Sequence, residues 1–179
     1  MAAASPSLSS PSREKKILPF SLAAVILVLD QLSKWLVVER IPRLTVGAEF
    51  FGGFIRFIHA RNPGIAFSLG RDLPDPLRGV FFTLLPILVL AALGLHYFRS
   101  DDFSPIQRWA VAGIIGGGAG NLVDRIFRPE GVVDFIDVEF FGIFGLDRWP
   151  TFNIADSSVV VFGSLLALTI LTHGRRTHE

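Results

Sequence analysis

The chain has no cysteine. That absence removes disulfides, thiolate zinc sites and a thiol nucleophile together. Charge is also scarce: 18% of the 179 residues are Asp, Glu, Lys or Arg, and the formal net charge is +1. Bulk electrostatics therefore favours no polyanionic partner, and nucleic acid is not expected as one. Histidine is limited to His59, His96, His173 and His178, scattered without a ligand spacing such as H-E-x-x-H. What fills the chain is apolar: 50% hydrophobic residues with 17 Phe, and a mean hydropathy of +0.51. Such a chain is too greasy for a disordered segment or an ordinary soluble domain.

Residues 1–12 are rich in Ala, Ser and Pro, and with Arg13, Lys15 and Lys16 they read as a disordered basic tail over 1–16. Apolar segments follow at about 17–38, 77–98, 106–126 and 154–172. At about 1.5 Å per residue, roughly 20 helical residues cross a bilayer core, so each is long enough to span. The first is too long for a signal-peptide core and lacks a cleavage site, so it is expected to stay as a mature helix. Pro86 should kink the second, which membrane helices tolerate. The expected organisation is one integral membrane domain over 17–173 and a short tail over 174–179.

Four spans put both termini on one side of the membrane and the loops 39–76 and 127–153 on the other. Asp30 lies 13 residues beyond Ile17, about 20 Å along the helix, and so belongs near that second side. Asp124, Asp134 and Asp156 lie there too, at the edges of apolar segments. Carboxylates at membrane depth are costly and mark functional sites by default. Orientation rests on Arg13, Lys15, Lys16, Arg175 and Arg176, which argue for cytoplasmic termini. Arg40, Arg43, Arg56, Arg61 and Arg71 in the first loop argue against it.

The segment Phe50-Phe51-Gly52-Gly53-Phe54-Ile55-Arg56-Phe57-Ile58 joins a Gly-Gly turn to β-prone residues, which predicts short paired strands over about 45–70, resting on the membrane surface. Phe140, Phe141, Phe144 and Trp149 in the second loop suit interfacial anchoring, with substrate contact as the alternative.

Two Asn-x-x-Asp units carry the candidate chemistry. In Asn153-Ile154-Ala155-Asp156, Asn153 opens the fourth helix, so a cap with an acid in the first turn explains the spacing as well as catalysis does. Asn121-Leu122-Val123-Asp124 ends a helix, where an acid is disfavoured, and capping does not explain it. Arg125 beside Asp124 suggests an ion pair that keeps Asp124 ionised. Asp134 is flanked by Val132, Val133, Phe135 and Ile136, where desolvation raises a carboxyl pKa. Asp134 and Asp156 are the pair expected to share a proton, one as base on water and the other as acid on a carbonyl. Ser157 and Ser158 have no nearby Lys or His and are expected to bond back to helix carbonyls. Asp30 and Lys34 are spaced i, i+4 in the favourable order and read as a structural pair. Asn62-Pro63-Gly64 offers an amide and a tight turn suited to gripping an extended peptide, although any tight turn has this look. The run Gly116-Gly117-Gly118-Ala119-Gly120 allows close helix packing or lipid-chain access.

Taken in order, these motifs resemble the bacterial lipoprotein signal peptidases, the signal peptidase II family of membrane aspartic proteases. The resemblance runs through Asp30-Gln31-Leu32-Ser33-Lys34, Ala60-Arg61-Asn62-Pro63-Gly64-Ile65-Ala66-Phe67-Ser68, Gly116 to Arg125, Val132-Val133-Asp134-Phe135 and Phe152-Asn153-Ile154-Ala155-Asp156. It implies an all-α membrane protein of four transmembrane helices with a small extracytoplasmic β-cradle. It implies Asp134 and Asp156 as the catalytic dyad. Asn62, Gly64, Asn121, Arg125 and Asn153 become substrate-binding residues, with Asp30, Lys34, Asp124 and Ala155 in support. The implied reaction removes the signal peptide from lipid-modified prolipoproteins, before a diacylglyceryl Cys, at the outer face of the bacterial cytoplasmic membrane. No metal or cofactor is required, globomycin inhibits, and the enzyme acts as a monomer among membrane lipids. The chain departs from the family pattern at Ile65, where Ala is expected, and in a longer 137–150 loop.

A small ion-coupled transporter is the non-enzymatic alternative. Four spans without internal repeats, and acids gathered at one surface, argue against it. An acyltransferase would want His or Cys near the acids, and neither is there.

Overall fold

The computed structural model describes residues 13–63 and 74–176. Gly64, Ile65, Arg71 and the tail 1–12 lie outside them. The chain opens with a short helix α1 (Arg13–Ile17) and α2 (Phe20–Arg40), then strands β1 (Val46–Phe50) and β2 (Ile55–Asn62). It returns through α3 (Asp75–Gly79), a π-turn (Val80–Leu84) and α4 (Leu85–Arg99) to α5 (Pro105–Phe127). Strands β3 (Val132–Ile143) and β4 (Leu146–Arg148) and helix α6 (Ile154–Arg176) complete it.

On α2 the buried residues are Ala23, Ile26, Asp30, Lys34 and Val37, one stripe at helical spacing. Its other faces expose Val25, Val28, Leu29, Leu32 and Trp35. A water-soluble helix buries its apolar side; this one turns its charges inward and its aliphatic side chains outward, the pattern for a helix solvated by lipid. Among the described residues, three helical stretches are long and apolar enough to cross a membrane: Glu14–Arg40, Pro76–Arg99 and Ile154–Thr172.

The remaining long helix, α5, packs against α2, α4 and α6. It is set between protein surfaces, so it carries Gly and polar residues that a lipid-facing helix would not. The glycine run lets its neighbours approach: a Cβ on Gly116 would lie 2.7 Å from the Ala23 Cα, and one on Gly117 2.5 Å from the Ala155 carbonyl oxygen. Close helix packing, one of the two uses expected for this run, is present, and Gly118 also lines an apolar cavity. Ser104 starts α5 with a capping box, accepting from the Gln107 N–H at 3.3 Å while the Gln107 side chain accepts from the Ser104 N–H at 2.9 Å.

Pro86 does interrupt its span, through the π-turn over Val80–Leu84 just before it. The widened turn accommodates a ring that has no N–H to donate. The basic segment expected to be disordered over 1–16 is instead helical from Arg13. Lys16 is tied down there by Asp101 at 2.6 Å, and its carbonyl accepts from the buried Tyr97 hydroxyl at 2.7 Å. At the other end α6 continues to Arg176, into the expected tail.

The molecule is mostly helical rather than all-α, with a four-stranded antiparallel sheet in the order β1-β2-β3-β4. The predicted strands over about 45–70 appear as β1 and β2, joined by the turn Phe51–Gly53. Half of the sheet comes from the stretch read as a loop, where Val132-Val133-Asp134-Phe135 opens a 12-residue strand. β-branched and aromatic residues suit a pleated, half-buried surface, and β2 supplies the partner edge. Val133 and Phe135 pack on Val37 of α2, with Ile41, Ile136 and Ile154 around them, so the sheet is seated on the end of the bundle.

Candidate active site

Three chain segments meet where the sheet joins the helices. Asp134 on β3 pairs in register with Ala60 of β2, two residues before Asn62. The strand residue before α6 is pinned to β3 as well: the Phe135 and Ile136 N–H groups donate to the Phe152 carbonyl at 3.0 and 2.8 Å. That fixes Asn153 against Asp134. The Asn153 Nδ2 donates to Asp134 Oδ1 at 2.7 Å, and Asn62 Nδ2 donates to Asp134 Oδ2 at 3.0 Å.

Asn153 also caps α6. Its Oδ1 accepts from the Asp156 N–H at 2.9 Å, and Asp156 Oδ2 accepts from the Asn153 N–H at 3.2 Å. The helix-cap reading of this unit is therefore correct, and it coexists with the site reading. One residue bonds both carboxyls, Asp134 through its side chain and Asp156 through its backbone N–H, and the cap alone does not require the first. The second Asp156 oxygen, Oδ1, accepts from Asn121 Nδ2 at 2.7 Å.

Asp134 is 3% exposed. Burial, followed by the charge of Asp156, pushes its carboxyl up to about 7, against the amide bonds from Asn62 and Asn153 that favour the ionised form. Two such carboxyls can take a proton from water and give one to a carbonyl oxygen.

Beneath them lies a second, fully buried cluster. Lys34 Nζ sits 2.8 Å from Asp30 Oδ2 and 3.0 Å from Asp124 Oδ2, and donates to Asn121 Oδ1 at 2.9 Å. Asp30 Oδ1 accepts from the Ala155 N–H at 3.0 Å. Asp124 Oδ2 accepts from the Val133 N–H at 3.1 Å. The expected Asp30–Lys34 pair is present. The expected Asp124–Arg125 pair is not how Asp124 is neutralised: its partners are Lys34 and, at 3.5 Å, Arg128. Adjacent helix residues point about 100° apart, whereas i+4 residues share a face.

Arg125 instead lines a cavity of 480 Å3 with Asn121, Asp156 and the apolar side chains of Leu85, Val89, Leu90, Ile114 and Val160. Its Nε has no hydrogen-bond partner among the described residues. Of the site residues read from the sequence, Asp30, Lys34, Asn62, Asn121, Asp124, Asp134, Asn153, Ala155 and Asp156 form one connected network, Arg125 borders it, and Gly64 lies outside the described residues. Gln31 was missed. Its Nε2 donates to Asp30 at 3.1 Å, Asp124 at 3.1 Å and the Gly120 carbonyl at 3.0 Å, and an amide beside an acid within an apolar span was the available signal. Ser157 bonds back to the Asn153 carbonyl at 2.9 Å as expected, while Ser158 bonds across to Gly113 of α5 at 2.9 Å.

Helices with apolar outer faces and a small sheet on their end define an integral membrane protein. The family model described as signal peptidase (SPase) II matches residues 22–172. A lipoprotein signal peptidase of Treponema pallidum (strain Nichols) is 47% identical over 159 residues, covering 89% of this chain and 86% of the relative. That of Treponema denticola is 46% identical, covering 88% and 90%. A bacterial membrane enzyme solved by the in meso method at 2.3 Å superposes with a TM-score of 0.73 at 28% identity, with 91% of each chain covered. The chain belongs to the signal peptidase II family. It is a peptidase, and the transporter alternative has no support.

Proposed function

We propose that this enzyme removes the signal peptide from diacylglyceryl-modified prolipoproteins, cleaving just before the lipidated Cys, with Asp134 and Asp156 as its catalytic dyad. The observation that carries the reading is Asn153, which bonds both carboxyls: its Nδ2 donates to Asp134 Oδ1 at 2.7 Å and its backbone N–H donates to Asp156 Oδ2 at 3.2 Å. The dyad shares one proton. The ionised member takes a proton from water, whose oxygen adds to the scissile carbonyl carbon, and the protonated member donates to the carbonyl oxygen. Collapse breaks the C–N bond as a proton passes to the leaving amine, so one water is consumed per cleavage. Asn62, Gly64, Asn121, Arg125 and Asn153 bind the peptide around the dyad. Asp30, Lys34, Asp124 and Ala155 support it from below. The apolar cavity beside Asp156 suits acyl chains or the apolar signal segment.

Four spans are inferred by adding α5, whose 23 residues reach about 34 Å, to the three apolar stretches. Termini on the cytoplasmic side follow from Arg13, Lys15, Lys16, Arg175 and Arg176. That assigns the sheet and dyad to the outer face of the bacterial inner membrane. The exposed Phe51, Phe141 and Phe144 at the sheet's turns suit anchoring in the lipid interface. A monomer contains the whole proposed site.

The test is a gel-shift assay on a diacylglyceryl precursor, with and without globomycin. Cleavage by the wild-type enzyme, its block by globomycin, and loss in Asp134→Asn and Asp156→Asn are expected. Full activity in either variant would sink the dyad.

A further inference from the structure

A second cavity, of 270 Å3, lies between the ends of α2 and α5, lined by Trp35, Val38, Arg61, Phe127, Arg128 and Glu130. It stands behind the sheet from the dyad. Side chains alternate across a strand: Asn62 meets Asp134, whereas Arg61 is in register with Val133, which packs on Val37 of α2. Arg61 therefore belongs to the other face of β2 and β3, and none of these lining residues shares the apolar cavity beside Asp156.

The exposed side chains on both helices fix the depth of this cleft. On α2 they are Leu29, Leu32, Trp35, Leu36 and Val38, and then, without a gap, Glu39 and Arg40. On α5 they are Ile126 and Phe127, and just beyond come Pro129 and Glu130. Exposed aliphatic groups suit lipid tails and exposed charges suit water, so the boundary between the two runs through Val38–Glu39 and Phe127–Arg128. The cleft straddles that boundary, with Trp35, Val38 and Phe127 on the apolar side and Arg61, Arg128 and Glu130 on the polar side. Trp35 is 53% exposed there, and Trp is enriched at the level of the lipid headgroups.

The charges in the cleft do not balance. Arg43 donates to Glu130 Oε1 at 3.2 Å, and the Arg61 Nε lies 3.5 Å from Glu130 Oε2. Two guanidiniums thus share one carboxylate that is itself half-exposed. Arg61 is the buried one, its side chain 10% exposed. Its Nε and the Arg128 Nη1 have no hydrogen-bond partner among the described residues, although buried polar groups are normally bonded. Burial weighs most against the Arg61 charge; Glu130 favours it, and Arg128 and Arg43 oppose it. A monoanion in the cleft supplies the missing charge, and guanidinium forks match phosphate oxygens.

We propose that the cleft formed by Trp35, Arg61, Phe127 and Arg128 binds the phosphate of an anionic phospholipid, on the face of the sheet opposite the dyad. The phosphate oxygens accept from Arg61 and Arg128, and the lipid's ester region lies against Trp35 and Phe127. Binding is read without any cleavage, so its failure leaves the proposed dyad untouched.

The full-length protein, in neutral detergent and phosphate-free buffer, is mixed with equal amounts of phosphatidylglycerol and phosphatidylcholine of identical chains. Native mass spectrometry then counts retained lipid. One excess positive charge predicts a preference of about fivefold for phosphatidylglycerol. Arg61→Gln should bring it to near parity. Glu130→Gln removes the carboxylate of the cleft and should raise the preference about fivefold further. Should Arg61→Gln fail to fold, Arg43→Gln and Glu130→Gln, both at half-exposed positions, carry the test with opposite signs. Equal retention of both lipids by the wild-type protein overturns the proposal, as does a preference that Arg43→Gln and Glu130→Gln leave unchanged. Release of the bound lipid by millimolar inorganic phosphate overturns the lipid as the source of the group, and retention against it supports the lipid.

Discussion

Two acid pairs lie side by side at the sheet end of the bundle, and they differ in what neutralises them. Asp30 and Asp124 are fully buried and share one ammonium, Lys34, at 2.8 and 3.0 Å. Among the described residues, Asp134 and Asp156 have no ammonium in contact. Their oxygens accept amide N–H groups from Asn62, Asn121 and Asn153, and Asp156 faces a cavity. Two carboxyls gripped by one lysine hold helices together. In the second pair, burial and the charge of Asp156 push the Asp134 carboxyl up to about 7. The first pair therefore ties α2, α5 and α6 into one piece, and the second is the pair we propose for the chemistry. Asn121 links the two, accepting from Lys34 with its oxygen and donating to Asp156 with its nitrogen.

The sharpest way to break this contrast is to substitute within each pair. Asp134→Asn and Asp156→Asn should lower cleavage by about a thousandfold or more while the purified protein stays folded. Lys34→Met should do the reverse in kind, destabilising the fold by about 3–5 kcal/mol by leaving two buried carboxylates unpaired. Thermal denaturation in detergent reads that loss, and a Lys34→Met protein as stable as wild type would contradict the structural role. Asp124→Asn ranks the acids: a folded but wholly inactive protein moves Asp124 into the catalytic set. Gly117→Ala should cost about 1–3 kcal/mol by crowding α6, since its Cβ would lie 2.5 Å from the Ala155 carbonyl oxygen.

The smallest effect is on pH. Folding raises the Asp134 carboxyl from 3.8 to about 7, so the folded state holds this proton more tightly than the unfolded chain does. Its contribution to stability is full below pH 3.8 and is lost as pH rises through about 7. Cleavage should decline over the same upper window as the dyad loses its shared proton. A kcat/KM profile flat from about pH 6 to about pH 8 argues against a proton held at Asp134.

Much of the site was legible because membrane burial makes polar residues conspicuous. Asp30, Lys34, Asn121, Asp124 and Asp156 stand out in apolar surroundings, and the i, i+4 spacing of Asp30 and Lys34 survives folding unchanged. Arg125 shows the limit: adjacency in sequence suggested a partner that helix geometry denies it. The strands β3 and β4 were not legible, because a strand needs a partner edge and β2 lies some 70 residues upstream in the chain, Ala60 against Asp134. Helix α5 was legible as a segment over about 106–126, but not its place among the other helices, whose close approach its glycines permit.

The amino-acid sequence by itself determined the lipid-facing helices, the inventory of costly acids and the family, since each depends on local composition and spacing. Only the tertiary structure decided which acid meets which partner. It gave Lys34 to Asp124, turned Arg125 toward the cavity, and set Asn153 between Asp134 and Asp156. Those choices depend on helix phase and on sheet register between distant segments, and neither quantity is carried by any single stretch of chain.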